Sequence, residues 1–338
     1  MLFQNVEVHN VAELVQEENG VSWLRVPAAV KACMEAQNGD QARGSTGVEL
    51  RFVMHSDTVT LRMQCLSVGV LHIFRGGIQG GWEDQEILKN VDDTPCDIVI
   101  KKSANLPALE RMTEAAGYAW DPRVVRVIFD RGLYKLFDVI GDVEPPKPEQ
   151  LPQKKLLFYG SSITHGSNAL DMSHSWPAVV AHNLRMDVSN LGFAGSCCME
   201  PAMMDYIAGL GEQGNWDVAV MELGINVLDW ERDKIVERVT NALRQVAGRN
   251  PEKPIVVISP FYYADDFKNG GRAAKWRTLL AETVAAENYP QVTLINGLEL
   301  LGGVDGLSAD EVHPNIYGTA QIANHLTDRL REILNANA

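Results

Sequence analysis

The segment that decides the fold is FYGSSITHG, residues 158–166. It completes an apolar run, Leu156–Tyr159, which has the length and composition of a buried parallel strand. The Gly-Ser-Ser turn that follows is small enough to lift a serine hydroxyl clear of the sheet edge. Gly-Ser turns are common, so this segment alone fits an ordinary turn as well as a nucleophilic serine.

Downstream of this segment, short apolar runs alternate with helical patterns. Residues 235–246 place apolar side chains every three or four positions and stop before Gly248, and residues 322–333 repeat the pattern. The apolar runs are Asp187–Asn190, Asp217–Met221, Ile255–Ser259 and Val292–Ile295. This alternation predicts an α/β domain whose parallel sheet carries helices on both faces. Such sheets bind ligands beyond the carboxyl ends of their strands.

Upstream of the segment, the pattern is that of antiparallel strands. Apolar residues occupy alternate positions in Val48–Met54 and again in Val59–Cys65, which predicts a hairpin of half-buried strands. Further candidate strands are Val70–Phe74, Asp97–Lys101 and Val124–Phe129. Many short strands at this spacing predict a β-sandwich of jelly-roll type.

A Pro-rich stretch separates the two patterns. Residues 145–152 read PPKPEQLP, which is typical of a stiff linker. We therefore expect a β-sandwich domain at residues 1–145, a linker at 146–153 and the α/β domain at 154–338. A chain of 338 residues is long for a single core, which agrees with two domains.

The composition argues against several classes of partner. The formal net charge is −14, and such a surface repels both nucleic-acid phosphates and anionic lipid headgroups. No apolar run reaches 18 residues, so no transmembrane helix is predicted. Residues 1–7 lack the basic start and apolar stretch of a signal peptide, so we expect a cytoplasmic protein. A leader that had been removed would leave the same sequence.

The five cysteines do not have the spacing of a disulfide framework. They are Cys33, Cys65, Cys96, Cys197 and Cys198, and their odd number and irregular spacing favour a reducing compartment. No His or second Cys pair lies at ligand spacing from Cys197 and Cys198. We expect no metal there, and interpret the pair as two small buried residues in a turn.

Three further segments carry residues with catalytic chemistry. NLGFAG at 190–195 offers a glycine whose N–H can approach an oxyanion without a Cβ in the way. ELGIN at 222–226 offers an Asn amide as an uncharged donor. ADEVHPN at 309–315 offers a base, His313, with Asp310 three residues earlier to orient it. Taken singly, these segments also fit a strand-ending turn, an Asx turn and a helix cap.

Together and in this order, the four segments resemble the Ser, Gly, Asn and His signature blocks of the SGNH/GDSL hydrolase superfamily of GDSL-like lipases and acylhydrolases. The resemblance spans residues 156–335, and Trp176-Pro177 at the start of a predicted helix also fits it. It implies a flavodoxin-like three-layer parallel sheet and a reaction without metal or organic cofactor. The residue roles that it implies are Ser162 as nucleophile, His313 as base, Asp310 as its orienter, and Gly195 and Asn226 as oxyanion donors.

Two departures from the family pattern concern the hydrogen bonding around the site. The usual Gly-Asp-Ser is Gly160-Ser161-Ser162 here, so the carboxylate before the nucleophile is absent. The common Asn-Asp pair is Asn226-Val227. The GSSITHG spelling after a β-rich domain resembles a two-domain subgroup that contains carbohydrate esterases and some acyltransferases.

These residues predict a serine esterase that forms an acyl-enzyme. The expected substrate is an O-acyl ester, short-chain and above all O-acetyl, of a carbohydrate or small metabolite. An acyltransferase would use the same acyl-enzyme with an alcohol acceptor. A glycan-binding protein without catalysis is a third interpretation, against which the complete residue set argues.

The sequence also offers weaker candidates for substrate contacts. His165 lies three residues after the nucleophile and Trp230 follows a predicted strand end, so each is a candidate substrate-binding residue, although burial explains each equally well. The short linker holds the sandwich near the strand that leads to Ser162. We therefore expect an edge of the sandwich to form one wall of the acceptor pocket.

Overall fold

The computed structural model of the chain, which describes residues 1–35, 40–67, 69–82, 86, 89–267 and 271–336, contains two antiparallel sheets and one parallel sheet. The antiparallel sheets lie within residues 2–144, and the parallel sheet lies within residues 155–295. The expected fold class, an SGNH-type α/β fold preceded by a β-sandwich, is confirmed.

The two antiparallel sheets share one apolar core, to which Phe52 of one sheet and Leu61 of the other contribute fully buried side chains. This arrangement fits a jelly-roll sandwich. The first sheet contains Leu2–Phe3, Val6–His9, Glu49–Met54, Val124–Phe129, Gly69–Arg75 and Ile78–Gln79 in spatial order, with Val143–Glu144 and Lys89–Val91 paired beside this path. The second contains Cys96–Lys101, Thr58–Cys65, Tyr134–Ile140, Gly20–Leu24 and Glu13–Glu17.

The predicted hairpin at residues 48–65 is wrong. Glu49–Met54 pairs with Val124–Phe129 in the first sheet, whereas Thr58–Cys65 pairs with Cys96–Lys101 in the second. The chain therefore crosses from one sheet to the other at residues 55–57. A period of two identifies the side chains that face the core, but it does not select the partner strand. Glu49–Met54 is also buried along its whole length rather than half-buried.

The parallel sheet has the flavodoxin-like strand order. Its strands are, in spatial order, Asp187–Gly192, Lys155–Gly160, Val218–Glu222, Ile255–Ile258 and Val292–Ile295. All neighbouring pairs are parallel, and the first strand of this domain lies between the second and the third. The carboxyl ends of these three strands therefore lie side by side, and the Ser, Gly and Asn segments follow them there.

Helices cover both faces of this sheet. Leu157 and Tyr159 pack in a core with side chains of Pro201–Glu212, Arg232–Arg249 and Arg272–Glu287. Leu156 and Phe158 face the other way, toward Trp176–Leu184 and Ile316–Ala336. The other helices of the described ranges are Ala28–Lys31, Leu106–Ala115, Ser162–His165 and Gly297–Leu300. The 3-10 turns are Gln41–Arg43, Pro148–Gln150, Met172–His174, Ile225–Val227, Ala264–Phe267 and Val304–Gly306.

The helix Arg232–Arg249 continues past its predicted end before Gly248. A Cβ at Gly248 would lie 3.2 Å from the hydroxyl oxygen of Tyr289. The glycine therefore leaves room for a neighbouring aromatic side chain, and it does not end the helix.

Buried polar contacts join the sandwich to one strand of the parallel sheet, Asp187–Gly192. Arg51 donates two hydrogen bonds to the Asp187 carboxylate, at 2.8 and 2.7 Å. Arg25 donates to the carbonyl oxygens of Asn190 at 3.1 Å and Gly192 at 3.0 Å. The sandwich is therefore fixed to the strand that leads into the Gly segment.

The structure bears on two expectations from composition, one for the cysteines and one for membrane-spanning helices. All five cysteines are free, and Cys197 and Cys198 are buried. Within the described ranges, none of the helices combines the length and the apolar character that crossing a bilayer requires.

Candidate active site

Ser162 stands at a tight turn after the strand Lys155–Gly160. The short helix Ser162–His165 begins directly after Ser161, whose hydroxyl caps it by accepting a hydrogen bond from the Ile163 N–H at 3.1 Å. A Cβ on residue 160 would lie 2.1 Å from Oγ1 of Thr164. Glycine at position 160 therefore permits the close packing of this turn.

A cleft of about 510 Å³ lies at the carboxyl ends of the strands. Ser162, Gly195, Asn226 and His313 all line it, although they come from four separate parts of the chain. The structure thus brings the four predicted segments to one site.

A chain of hydrogen bonds connects Ser162, His313 and Asp310. Ser162 Oγ lies 2.7 Å from His313 Nε2, and His313 Nδ1 lies 2.9 Å from Asp310 Oδ2. Because a carboxylate only accepts hydrogen bonds, the contact with Asp310 favours the tautomer with the proton on Nδ1. His313 Nε2 is then free to accept the serine proton.

Asp310 is itself held by several donors. Its Oδ1 accepts from the N–H groups of Val312 at 3.0 Å and His313 at 2.9 Å, and Asn168 donates to its Oδ2 at 2.7 Å. Burial tends to raise the pKa of Asp310, but these hydrogen bonds and the one from the His313 ring outweigh it and hold the pKa at about 2. Asp310 is therefore a carboxylate at neutral pH.

The orientation of the Asn226 amide is set by a backbone contact. Its Oδ1 accepts a hydrogen bond from the Cys197 N–H at 3.1 Å. The oxygen is therefore occupied, and the donor, Nδ2, remains for the cleft that Asn226 lines. Cys197 thus belongs to the support of the candidate oxyanion site, a role that its spacing in the sequence did not indicate.

Gly195 has a φ of 67°, a left-handed conformation that favours glycine. The strand before it is held from the sandwich side by Arg25, which is 1% exposed and lies 4.5 Å above the ring of Phe193. Burial lowers the pKa of Arg25 to about 9, so its guanidinium is still charged at neutral pH. A buried guanidinium that donates hydrogen bonds to backbone carbonyls thus fixes the strand end that precedes Gly195.

Glu222 is a site residue that the sequence reasoning missed. It ends the strand Val218–Glu222, is fully buried, and accepts hydrogen bonds from Ser161 and Thr164 beside Ser162. Burial raises its pKa to about 7 against the lowering effect of these hydrogen bonds. An acidic residue closing an apolar strand run was the signal available in the sequence.

Two predicted substrate-binding residues lie outside the cleft lining. His165 is 5% exposed, and burial, with Arg25 and Arg131 nearby, keeps its pKa well below the usual value. Trp230 packs against the core of one sheet face, and Lys234 Nζ lies 3.7 Å from its ring centre. Neither side chain lines the cleft.

The expected sandwich wall is also not formed. The residues that line the cleft in the described ranges all lie between 162 and 313. The sandwich instead contacts the segments that carry the site residues. Arg131 donates a hydrogen bond to the carbonyl of Gly166, and Arg25 donates one to the strand before the Gly segment. The sandwich therefore supports the loops of the site without bounding the cleft.

No group of three or more His, Cys, Asp and Glu side chains that could hold a metal ion occurs in the part of the chain described. The arrangement is that of a nucleophile, a base with its carboxylate, and hydrogen-bond donors across the cleft. This set can carry acyl transfer through a serine.

Comparisons with known proteins agree with this architecture. Residues 153–331 match the model of the GDSL-like Lipase/Acylhydrolase family. A salicylyl-acyltransferase from a tetracycline biosynthetic pathway has a similar structure, with a TM-score of 0.79 over 98% of this chain and 95% of its own at 15% identity. A search of curated protein sequences found no match.

Two esterase structures are similar over both halves of the chain. A family two carbohydrate esterase from Cellvibrio japonicus gives a TM-score of 0.67 over 98% of this chain and 96% of its own at 14% identity. An acetyl xylan esterase from Butyrivibrio proteoclasticus gives 0.60 over 99% and 97% at 12% identity. At these identities the likeness shows the shared two-part fold.

Proposed function

Since this chain belongs to the GDSL-like lipase/acylhydrolase family and is an SGNH-type esterase, we propose that it cleaves short-chain O-acyl esters, above all O-acetyl esters, of a carbohydrate or small metabolite through an acyl group on Ser162. The observation that carries the proposal is the 2.7 Å contact between Ser162 Oγ and His313 Nε2 in a cleft that Asn226 also lines. A cleft of about 510 Å³ has room for a small ester.

In the first half of the reaction, Ser162 Oγ attacks the ester carbonyl carbon and His313 Nε2 takes its proton. The carbonyl oxygen becomes an oxyanion, which the N–H groups of Ser162 and Gly195 and the Asn226 amide stabilise. The bond from carbon to the alcohol oxygen then breaks, and His313 returns the proton to that leaving oxygen. Asp310 holds the ring and stabilises the imidazolium.

In the second half, water attacks the acyl carbon and His313 removes one of its protons. The bond to Ser162 Oγ breaks, Oγ regains a proton from His313, and the free acid leaves. The His313 side chain is 23% exposed, so water reaches the base. This exposure favours hydrolysis as the fate of the acyl-enzyme.

An acyltransferase with the same acyl-enzyme is the second candidate. The salicylyl-acyltransferase that this chain resembles in fold provides the reason to test it. The two functions differ in the second half-reaction alone, where an alcohol replaces water. Product analysis of an acetylated sugar and p-nitrophenyl acetate, each with and without an excess of a sugar acceptor, separates free acetate from transferred acetyl groups.

Labelling of the nucleophile tests the proposal directly. A serine-reactive phosphonate should add once to the wild type, at Ser162, and not to Ser162→Ala, while the variant keeps the melting temperature of the wild type. The matched control is Ser161→Ala, which removes the neighbouring hydroxyl that faces Glu222 at 2.7 Å. This control should still be labelled at Ser162. An adduct at Ser161 or Cys197 would show that the nucleophile is assigned wrongly.

The substrate class requires a separate screen. Acetylated sugars should be turned over faster than esters with long acyl chains, and p-nitrophenyl esters of increasing chain length provide the comparison. A rate that rises with chain length would contradict the short-chain assignment.

A further inference from the structure

Glu222 is buried beneath the turn that carries Ser162, and the mechanism above does not use it. Its Oε2 accepts three hydrogen bonds, from the Ser161 N–H at 2.8 Å, the Ser161 hydroxyl at 2.7 Å and the Thr164 hydroxyl at 3.0 Å. These donors lie on both sides of Ser162 in the chain. One carboxylate oxygen therefore ties together the start and the end of the nucleophile turn.

The space for this carboxylate is created by the missing side chain at position 160. A Cβ on Gly160 would lie 2.7 Å from Glu222 Oε2. The strands Lys155–Gly160 and Val218–Glu222 are parallel neighbours, with Tyr159 opposite Met221. The register thus places Glu222 beside Gly160 at the carboxyl end of the sheet.

Glu222 also precedes the candidate oxyanion donor by four residues. Asn226 follows it on the same segment, and its amide is oriented by the Cys197 N–H. A shift of Glu222 would therefore change the distance between the serine and the donor that stabilises its oxyanion. The position of a nucleophile relative to such donors strongly affects the rate, and a 1 Å error can cost about 10²-fold.

We propose that Glu222 is a positioning residue, which holds the turn of Ser162 from the neighbouring strand. The family spelling Gly-Asp-Ser would place a carboxylate on residue 161, whereas the Ser161 hydroxyl here donates a hydrogen bond to Glu222. Two carboxylates at this buried position would repel each other once both were ionised, so one of them would hold a proton. This inference rests on the proposed role of Ser162.

The first experiment separates positioning from folding by measuring kcat and KM on p-nitrophenyl acetate. Glu222→Gln keeps an acceptor oxygen and should retain kcat within about threefold. Glu222→Ala removes the acceptor and should lower kcat by about 10²-fold with little change in KM. The matched control is Glu200→Gln. Glu200 is 2% exposed and has one oxygen without a partner in the described residues, as Glu222 does. Its other oxygen accepts a hydrogen bond from the Glu35 N–H at 2.8 Å, away from the nucleophile turn, so kcat should not change.

The second experiment tests this contact and does not depend on the alanine variant folding. Ser161→Asp in the wild type should give a kcat that falls above neutral pH, because the two carboxylates share one proton and repel each other once both are ionised. In the Glu222→Gln background the same change should not produce this fall, because the Gln amide can donate to the new carboxylate. If Ser161→Asp gives the same pH profile of kcat in both backgrounds, or if Glu222→Ala keeps the wild-type kcat, Glu222 does not position the nucleophile.

Phosphonate labelling distinguishes failure of this inference from failure of the proposed function. If Ser162 is not the nucleophile, the wild type itself is not labelled at Ser162. If Ser162 is the nucleophile but Glu222 does not position it, Glu222→Ala is labelled as fast as the wild type. A slower reaction of folded Glu222→Ala, restored in Glu222→Gln, supports the inference.

Discussion

Replacing Arg51 by Ala tests how strongly the sandwich is fixed to the parallel sheet. Arg51 has no exposed side-chain area, and it donates to Asp187 through two hydrogen bonds and to Glu49 through one at 2.8 Å. Glu49 keeps a second partner in the variant, because Arg126 donates to it at 2.8 Å. Asp187 loses its guanidinium and becomes a buried carboxylate without a strong ion pair.

The expected loss of stability comes from Asp187, because Glu49 keeps an arginine partner in the variant and Asp187 does not. Removing one partner of a buried ion pair costs about 3–5 kcal/mol, because the remaining charge stays out of water. At about 2–4 °C per kcal/mol, the melting temperature should fall by roughly 6–20 °C at pH 7. Arg62→Ala is the matched control, since Arg62 makes the same two-point contact with Asp97 but both side chains are about half exposed. Solvent screens that pair, so little change is expected.

The pH dependence gives a second signature. In the wild type, burial tends to raise the pKa of Asp187, but Arg51 and then His9 outweigh it and hold the pKa far below its usual value. The stability from Asp187 is therefore present at neutral pH and is lost only as the pH falls below about 4. Without Arg51, burial dominates and raises the pKa of Asp187. The folded variant then takes up a proton before the unfolded chain does, so lowering the pH stabilises it.

The assay is thermal unfolding of the wild type and both variants at pH 7 and pH 5. The difference in melting temperature between the wild type and Arg51→Ala should be large at pH 7 and smaller at pH 5. The reasoning is refuted if Arg51→Ala has the same melting temperature as Arg62→Ala. It is also refuted if the difference in melting temperature between the wild type and Arg51→Ala is as large at pH 5 as at pH 7.

Three further predictions concern the cleft and the buried carboxylate beneath it. Asn226→Ala should lower kcat by about 10²–10³-fold with little effect on KM, because the hydrogen bond from the Asn226 amide to the oxyanion strengthens in the transition state. A change in KM alone would mean that Asn226 binds only the ground-state substrate. Asp310→Asn should reduce kcat/KM less than His313→Ala, because Asp310 orients the base and does not itself transfer the proton. Equal losses in the two variants would show that Asp310 does more than orient. For Glu222, the pKa of about 7 in the folded state lies above that of the unfolded chain, so the wild type should lose about 2–3 kcal/mol of stability between pH 5 and pH 8. Glu222→Gln should not show this loss, and identical pH profiles of unfolding would contradict the assignment.

Local patterns in the sequence were sufficient for the α/β half. Parallel strands buried on both faces appear as short apolar runs, and Val292–Ile295 has the bounds that were predicted. The helix that begins at Trp176-Pro177 was also predicted correctly, because Pro is favoured in the first helical turn. In the sandwich, the candidate strand Val124–Phe129 has the bounds that were predicted. The alternation in Val48–Met54, however, indicated the wrong partner for the strand Glu49–Met54.

The sequence by itself determined the chemistry that the site can offer. A serine, a glycine, an asparagine, and a histidine with its aspartate, in four ordered segments, are enough to identify the family, because each segment supplies a group that acyl transfer needs. Their spacing also placed each one after a strand or before a helix, where an α/β sheet binds its ligands.

Only the tertiary structure decided which groups meet. Ser161 and Glu222 are 61 positions apart in the chain, and Arg51 and Asp187 are 136 apart. Such contacts depend on strand order, register and the packing of one sheet on another, none of which a local period encodes. The same physics explains why His165 is buried away from the cleft although it lies three residues from Ser162. In one turn of a short helix, neighbours in the sequence point in different directions, whereas parallel strands bring the ends of distant segments together.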